Sequence, residues 1–139
     1  MTDGFVADSS VGIAWSVNSQ SSEATEELLT QVTEGSTFVV PSLWMLEVSN
    51  ALHILQRRGR VSAEQGARAR KALALLMPIV DEEGPRLALE GIFDLANRHV
   101  LSVYDATYLE LAIRRRLPLA SRDTDLNAAA RARGVKVLL

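Results

Sequence analysis

Along this chain, short apolar runs rich in β-branched residues alternate with longer stretches in which apolar residues recur at helical spacing. Phe5-Val6-Ala7 predicts a first strand. Ser21 or Ser22 then caps a helix to about residue 33, with Glu23, Glu26 and Glu27 in its first turns. A second strand is expected at 37–40, stopped by Pro41, and Ser42 is placed as the N-cap of a helix over 43–56. Ser62 and Gln65 form a capping-box pattern for a third helix to about residue 76. A short strand follows at 78–80, then a fourth helix from Pro85 to about residue 99. A fifth helix runs from the Ser102 cap to about residue 116, a strand over 117–120, a sixth helix over 124–133 and a last strand over 135–138. No repeat or linker interrupts the series, so 1–139 reads as one domain. Strands alternating with helices imply right-handed crossovers and an α/β fold with a mainly parallel central sheet covered on both faces.

Composition narrows the chemistry. The chain has no cysteine, which removes disulfides, thiolate metal sites and cysteine nucleophiles together. An acid near the N-terminus and no apolar stretch long enough to span a bilayer lead to the expectation of a soluble, cytoplasmic protein without a membrane partner. The net charge of −2 argues against a nucleic-acid partner until its distribution is considered. Most of the bases fall into four clusters, at 57–60, 68–71, 114–116 and 131–136. Each cluster suits a solvated helix end, and any of them could also border a track of phosphates. There is no HExxH, Walker loop, GxGxxG or GxSxG; His53 and His99 have no metal-ligand spacing, and Trp15 and Trp44 read as packing residues.

Four acids share a predicted location. Asp8 follows the first strand, Asp123 follows the strand at 117–120, Asp105 opens the fifth helix, and Glu47 lies in the early turns of the second helix. All four fall at the carboxyl edge of the expected sheet, where sites of this architecture collect. Closely spaced carboxylates repel one another, and a divalent cation such as Mg²⁺ or Mn²⁺ would relieve that repulsion. The usual chemistry of such a cluster is displacement at phosphorus. Asp8, Asp105 and Asp123 each also have a structural reading as caps or first-turn acids. Glu47 does not: its helix is apolar almost all round, and an acid there needs a partner, with Asn50 at i+3 one choice and an arginine another.

With these residues in place, the chain resembles the PIN-domain ribonucleases, most closely the VapC toxins of bacterial toxin–antitoxin pairs. Four segments carry the resemblance: Val6-Ala7-Asp8-Ser9-Ser10-Val11, Pro41 through Leu52, Ser102 through Ala112, and Leu119 through Leu126. It implies a three-layer α/β/α sandwich, Mg²⁺ or Mn²⁺, cleavage of RNA, a VapB-like antitoxin and a homodimer. Carried over by position, Asp8, Glu47, Asp105 and Asp123 are the acidic quartet, with Asp125 an auxiliary acid and the choice between Asp123 and Asp125 open. Ser10, Asn50 and Ser121 fall on supporting positions, Ser121 where the family commonly has threonine. The implied roles give Asp8, Asp105 and Asp123 the main ion and Glu47 a second ion or the attacking water, leaving a 5′-phosphate and a 3′-hydroxyl. Two other classes are weighed against this. A phosphatase or phosphoacceptor domain also uses an Asp after its first strand, but the DxDxT pattern is absent and neither lysine, Lys71 or Lys136, is suitably placed. A non-catalytic partner-binding module is the third reading. The apolar surface of the helices at 43–56 and 63–77 points to a homodimer and an antitoxin groove.

Overall fold

A computed structural model describes residues 4–139. Four parallel strands form the sheet: β1 (Phe5–Ala7), β2 (Phe38–Pro41), β3 (Ile79–Asp81) and β4 (Leu119–Ala120), in the order β3-β2-β1-β4. Phe5 pairs with Phe38, and Ala7 with Ala120. β1 and β2 are buried along their whole length, as expected for strands covered on both faces. The expected last strand is reduced to one parallel bridge between Leu119 and Val137.

Among the described residues, eight α-helices flank this sheet: α1 (Ser9–Ser16), α2 (Glu23–Thr33), α3 (Leu43–Arg57), α4 (Ala63–Leu75), α5 (Gly84–Leu87), α6 (Phe93–His99), α7 (Val103–Arg115) and α8 (Thr124–Ala132). One group is built around α1, which packs against α2, α3 and α4. The other is built around α7, which lies on β1 and β2 and packs against α6 and α8. The result is the α/β/α sandwich.

Three local features differ from the sequence reading. Helix α1 has no counterpart in the elements expected above, which pass from the first strand directly to the cap at Ser21 or Ser22. Asp8 is nevertheless a good N-cap, its carboxylate accepting the Ser10 amide at 3.0 Å. Gly12 is required by packing, since a Cβ there would stand 2.7 Å from the Trp44 ring. The single helix expected from Pro85 is α5, a π-helical turn (Ala88–Ile92) and α6, a widening of the kind that interrupts α-helices locally. Ser42 adopts helical angles and makes no capping bond, whereas Ser22 and Ser62 form full capping boxes with Thr25 and Gln65.

Aromatic packing joins the sheet to its α1 side. The Phe5 and Phe38 rings stack at 6.2 Å, Trp15 meets Phe38 edge-on at 5.2 Å, and Trp44 meets Phe38 at 5.9 Å. Both tryptophans are packing residues, as expected.

The edge strand β3 is tied down electrostatically. Asp81, only 2% exposed, accepts a two-pronged bond from Arg114 at 2.9 and 2.7 Å and another from Arg115 at 3.0 Å. Arg114 also bonds Glu110 at 2.8 Å. Two members of the 114–116 cluster are therefore structural anchors rather than part of a phosphate track. The Arg114 hydrogen bonds above all hold the Asp81 carboxyl down at about 2, below its usual 3.8. A folded value below the unfolded one adds stability above the unfolded value, and that stability is lost as pH falls from about 4 toward 2. Asp81→Asn is expected to cost about 2 kcal/mol at neutral pH and to flatten the acid limb of the stability curve. Urea titrations between pH 2 and pH 7 check this; a variant with an unchanged acid limb would contradict it.

Candidate active site

The path of the chain through the sheet creates the site. From β1 the chain moves outward through β2 to β3, then returns to place β4 on the other flank of β1. The direction of winding therefore reverses between β1 and β4, and a crevice opens beyond their carboxyl ends. Asp8 follows β1 and Ser121, Arg122 and Asp123 follow β4, so both loops meet in that crevice.

Asp8 is 4% exposed and held on every side. One carboxylate oxygen accepts from the Ser10 hydroxyl at 2.5 Å and the Ser10 amide at 3.0 Å; the other accepts from the Ser121 hydroxyl at 2.5 Å. Its backbone amide donates to the Ala120 carbonyl at 3.1 Å, and its own carbonyl accepts from Trp44 Nε1 at 3.0 Å. Burial pushes the Asp8 carboxyl up from its ordinary value, and the hydroxyl and amide donors oppose that rise. The same two serines tie the loops together: Ser10 Oγ accepts from the Arg122 amide and Ser121 Oγ from the Asp123 amide, each at 3.0 Å.

The other three acids sit on helix starts that face the same rim. Asp123 is the N-cap of α8, one oxygen accepting the Leu126 amide at 2.9 Å. Asp105 lies in the first turn of α7, where Ser102 caps its amide at 3.0 Å, but the reciprocal bond of a full capping box is missing. Its carboxyl is raised by burial, then by the charge of Asp123 and, less, of Asp125, with Ser102 opposing. Glu47, half-buried on α3, accepts from the Tyr108 hydroxyl at 2.5 Å. It is raised by burial against the Tyr108 bond, and further by the charges of Asp105 and Asp8. These mutual effects run from Asp8 to Glu47, from Glu47 to Asp105 and from Asp105 to Asp123, so all four acids share one electrostatic neighbourhood. Asp125 is exposed and lies on the α6 side of α8, beside Arg98 and His99.

Two residues near the quartet carry more than the sequence reading gave them. Tyr108 is buried, and burial with the Glu47 carboxylate holds its hydroxyl well above the ordinary value, so it stays a donor. It stands at i+3 from Asp105 on α7, a spacing that puts both on one helix face and that could have revealed it. Asn50 is exposed and makes no side-chain hydrogen bond with Glu47 among the described residues. Arg122 links the site to the turn at Asn18–Gln20 by donating to the Gln20 carbonyl.

Among the described residues, no three His, Asp or Glu side chains are grouped as a ready-made metal nest. The donor chemistry nevertheless fits a hard divalent cation: the neighbourhood offers carboxylates without imidazole or thiolate, and those carboxylates raise one another's proton affinity.

The sequence profile of the PIN domain matches residues 5–132, and the chain belongs to that family. PIN domains are typically nucleases and usually use divalent metal ions. The fold is shared with PAE2754 from Pyrobaculum aerophilum, at a TM-score of 0.74 and 23% identity over 99% of this chain and 92% of that one. It is shared too with FitAcB from Neisseria gonorrhoeae, at a TM-score of 0.66 and 17% identity over 97% of this chain and 96% of that one. No curated protein matches the chain.

Three carboxyls raised in the folded state bind protons more tightly than the unfolded chain does, so stability falls as pH rises from about 4 through the raised values. Glu47→Gln keeps an acceptor for Tyr108 and removes one of these charges. In EDTA at neutral pH its melting temperature is expected to exceed that of the wild type. Scanning calorimetry decides the matter, and a lower melting temperature for the variant would refute the electrostatic account.

Proposed function

We propose that the protein is a Mg²⁺- or Mn²⁺-dependent endoribonuclease, the toxin of a VapC-like toxin–antitoxin pair. The observation that carries this reading is the junction of β1 and β4, where a nearly buried aspartate is clamped by two hydroxyls beside three further acids. Asp8, Asp105 and Asp123 would hold the ion with Glu47 beside them. When bound, the ion supplies positive charge against the phosphodiester oxygens and a lowered pKa for water.

The protein's own side chains account for the rest. Ser10 and Ser121 saturate Asp8 with donors, which fixes its orientation and favours its anionic form. Tyr108 aims Glu47, whose raised proton affinity suits it to accept a proton from the attacking water. Arg122, exposed between two clefts, gives the strand a phosphate contact. Asn50 and Asp125 keep auxiliary roles in this reading.

Apolar side chains flank two of the acids. Leu46 beside Glu47 is 75% exposed and Tyr104 beside Asp105 is 64% exposed, with Met45 and Val103 next to them. We assign this rim to the homodimer contact and to an antitoxin that screens the acids. No helix among the described residues is long and apolar enough to cross a membrane.

Asp8→Ala is expected to abolish metal-dependent cleavage of RNA and leave the circular dichroism spectrum unchanged. Ser121→Ala should lower activity by about 10–100-fold, the usual effect of removing a partner behind a metal ligand. Full activity of pure Asp8→Ala protein would end the nuclease reading. In sedimentation the wild type should run as a dimer and Leu46→Asp as a monomer; a monomeric wild type at high concentration would overturn the dimer assignment.

A further inference from the structure

On the far side of Arg122 from the acids lies a second hollow, of about 390 Å³, between the starts of α2 and α8. The cleft on the acid side, of about 450 Å³, is lined by Ser9, Ser10 and Asp123, and Arg122 lines both. That arginine is a fixed partition, because its amide bonds Ser10 and its guanidinium bonds the Gln20 carbonyl. A strand lying over the acids therefore has one Arg-lined exit into the second hollow.

Two kinds of polar groups matter in this hollow, whose wall is completed by Leu139. The first attracts anions: Arg122, Arg131, the Thr124 hydroxyl and the N-terminus of the eleven-residue helix α2. The Ser22 cap takes the amides of Thr25 and Glu26 and leaves those of Glu23 and Ala24 for another partner. The acids Glu23 and Glu26 also belong to that first turn, but the walls there are Ser22, Ala24 and Thr25. The second kind is an acceptor. Asn127 is 6% exposed; its Nδ2 donates to the Ser121 carbonyl at 2.9 Å, and its Oδ1 has no partner among the described residues. A buried carbonyl without a donor is uncommon in folded proteins and calls for an explanation.

A bare anion cannot satisfy Asn127 Oδ1, because both are acceptors. The lining asks for a ligand that carries a negative charge and a hydroxyl or amine donor close together. A ribonucleotide unit has both, in its phosphate and its 2′-hydroxyl, and the 2′-hydroxyl is what separates RNA from DNA at such a position. We propose that this hollow seats a nucleotide flanking the scissile one in a bound RNA strand. The α2 amides with Arg131 and Arg122 hold its phosphate, and a turn of the Asn127 side chain opens its enclosed Oδ1 to accept from the 2′-hydroxyl. The identity of the strand rests on the nuclease reading above.

The test measures binding without metal, so that cleavage plays no part. Fluorescence anisotropy of a short labelled single-stranded RNA and of the matching DNA is followed against salt in EDTA. Wild type should prefer RNA, and one 2′-deoxy substitution in the RNA should cost most of that preference. Arg131→Gln should weaken RNA binding about ten-fold and lower the salt slope by about 0.7, while Arg131→Lys should restore the slope. Asn127→Ala should bind RNA and DNA alike; should that variant fail to fold, the 2′-deoxy scan on wild type stands in for it. An Arg131→Gln protein with wild-type affinity and slope would overturn the proposal, as would equal binding of RNA and DNA by wild type. Arg131-dependent RNA binding by a wild type that cuts nothing with Mn²⁺ would defeat the nuclease reading and leave the hollow's assignment standing.

Discussion

The Asp8 carboxylate, placed where β1 and β4 part and bonded by hydroxyls from two distant segments, is the interaction on which the rest of the site depends. Ser10 comes from the first turn of α1 and Ser121 from the loop after β4, so one carboxylate closes the seam between the first and last thirds of the chain. Those same hydroxyls accept the amides of Arg122 and Asp123 and so set the position of the next acid and of the arginine beside it. Trp44 holds the Asp8 carbonyl from α3, the helix that carries Glu47. A side chain so enclosed has little freedom to reorient, which suits a ligand or a charge that must stand in one place.

This arrangement carries an electrostatic cost that other parts of the fold do not share. Burial raises Asp8, Glu47 and Asp105, and neighbouring acids add to the rise for Glu47 and Asp105. Asp81 is as closed to solvent as Asp8, yet its carboxyl is lowered because two arginines face it. The contrast separates two kinds of charge in one molecule: a carboxylate with its counterions built in stabilises the fold, whereas acids gathered without counterions cost stability. The arginines follow the same division. Arg114 and Arg115 are consumed by Asp81, whereas Arg122 lines the cleft beside Asp123 and shares the hollow beyond it with Arg131.

Much of the architecture was legible in the residues. The parallel sheet followed from β-branched runs alternating with helices, and Ser22, Ser62 and Ser102 marked helix starts that the structure retains. Helix α1 was missed because its residues are chosen for packing: Gly12 clears room for Trp44, and the serines serve Asp8. The π-helical turn at Ala88–Ile92 was also beyond reach, since it adjusts one helix face to its neighbours and leaves the apolar pattern almost unchanged.

The sequence by itself determined which acids follow which strands, and hence that Asp8, Glu47, Asp105 and Asp123 lie toward one edge, because strand direction and helix starts are local properties. Only the tertiary structure decided what holds each of them. Glu47 is bonded by Tyr108, sixty-one positions away, rather than by Asn50 one turn along, and Asp8 by Ser121, a hundred and thirteen positions away. Arg114 was allotted to Asp81 and Arg131 to a hollow for the same reason. Partnerships between side chains that far apart are set by how the layers pack, and no local pattern of residues encodes them.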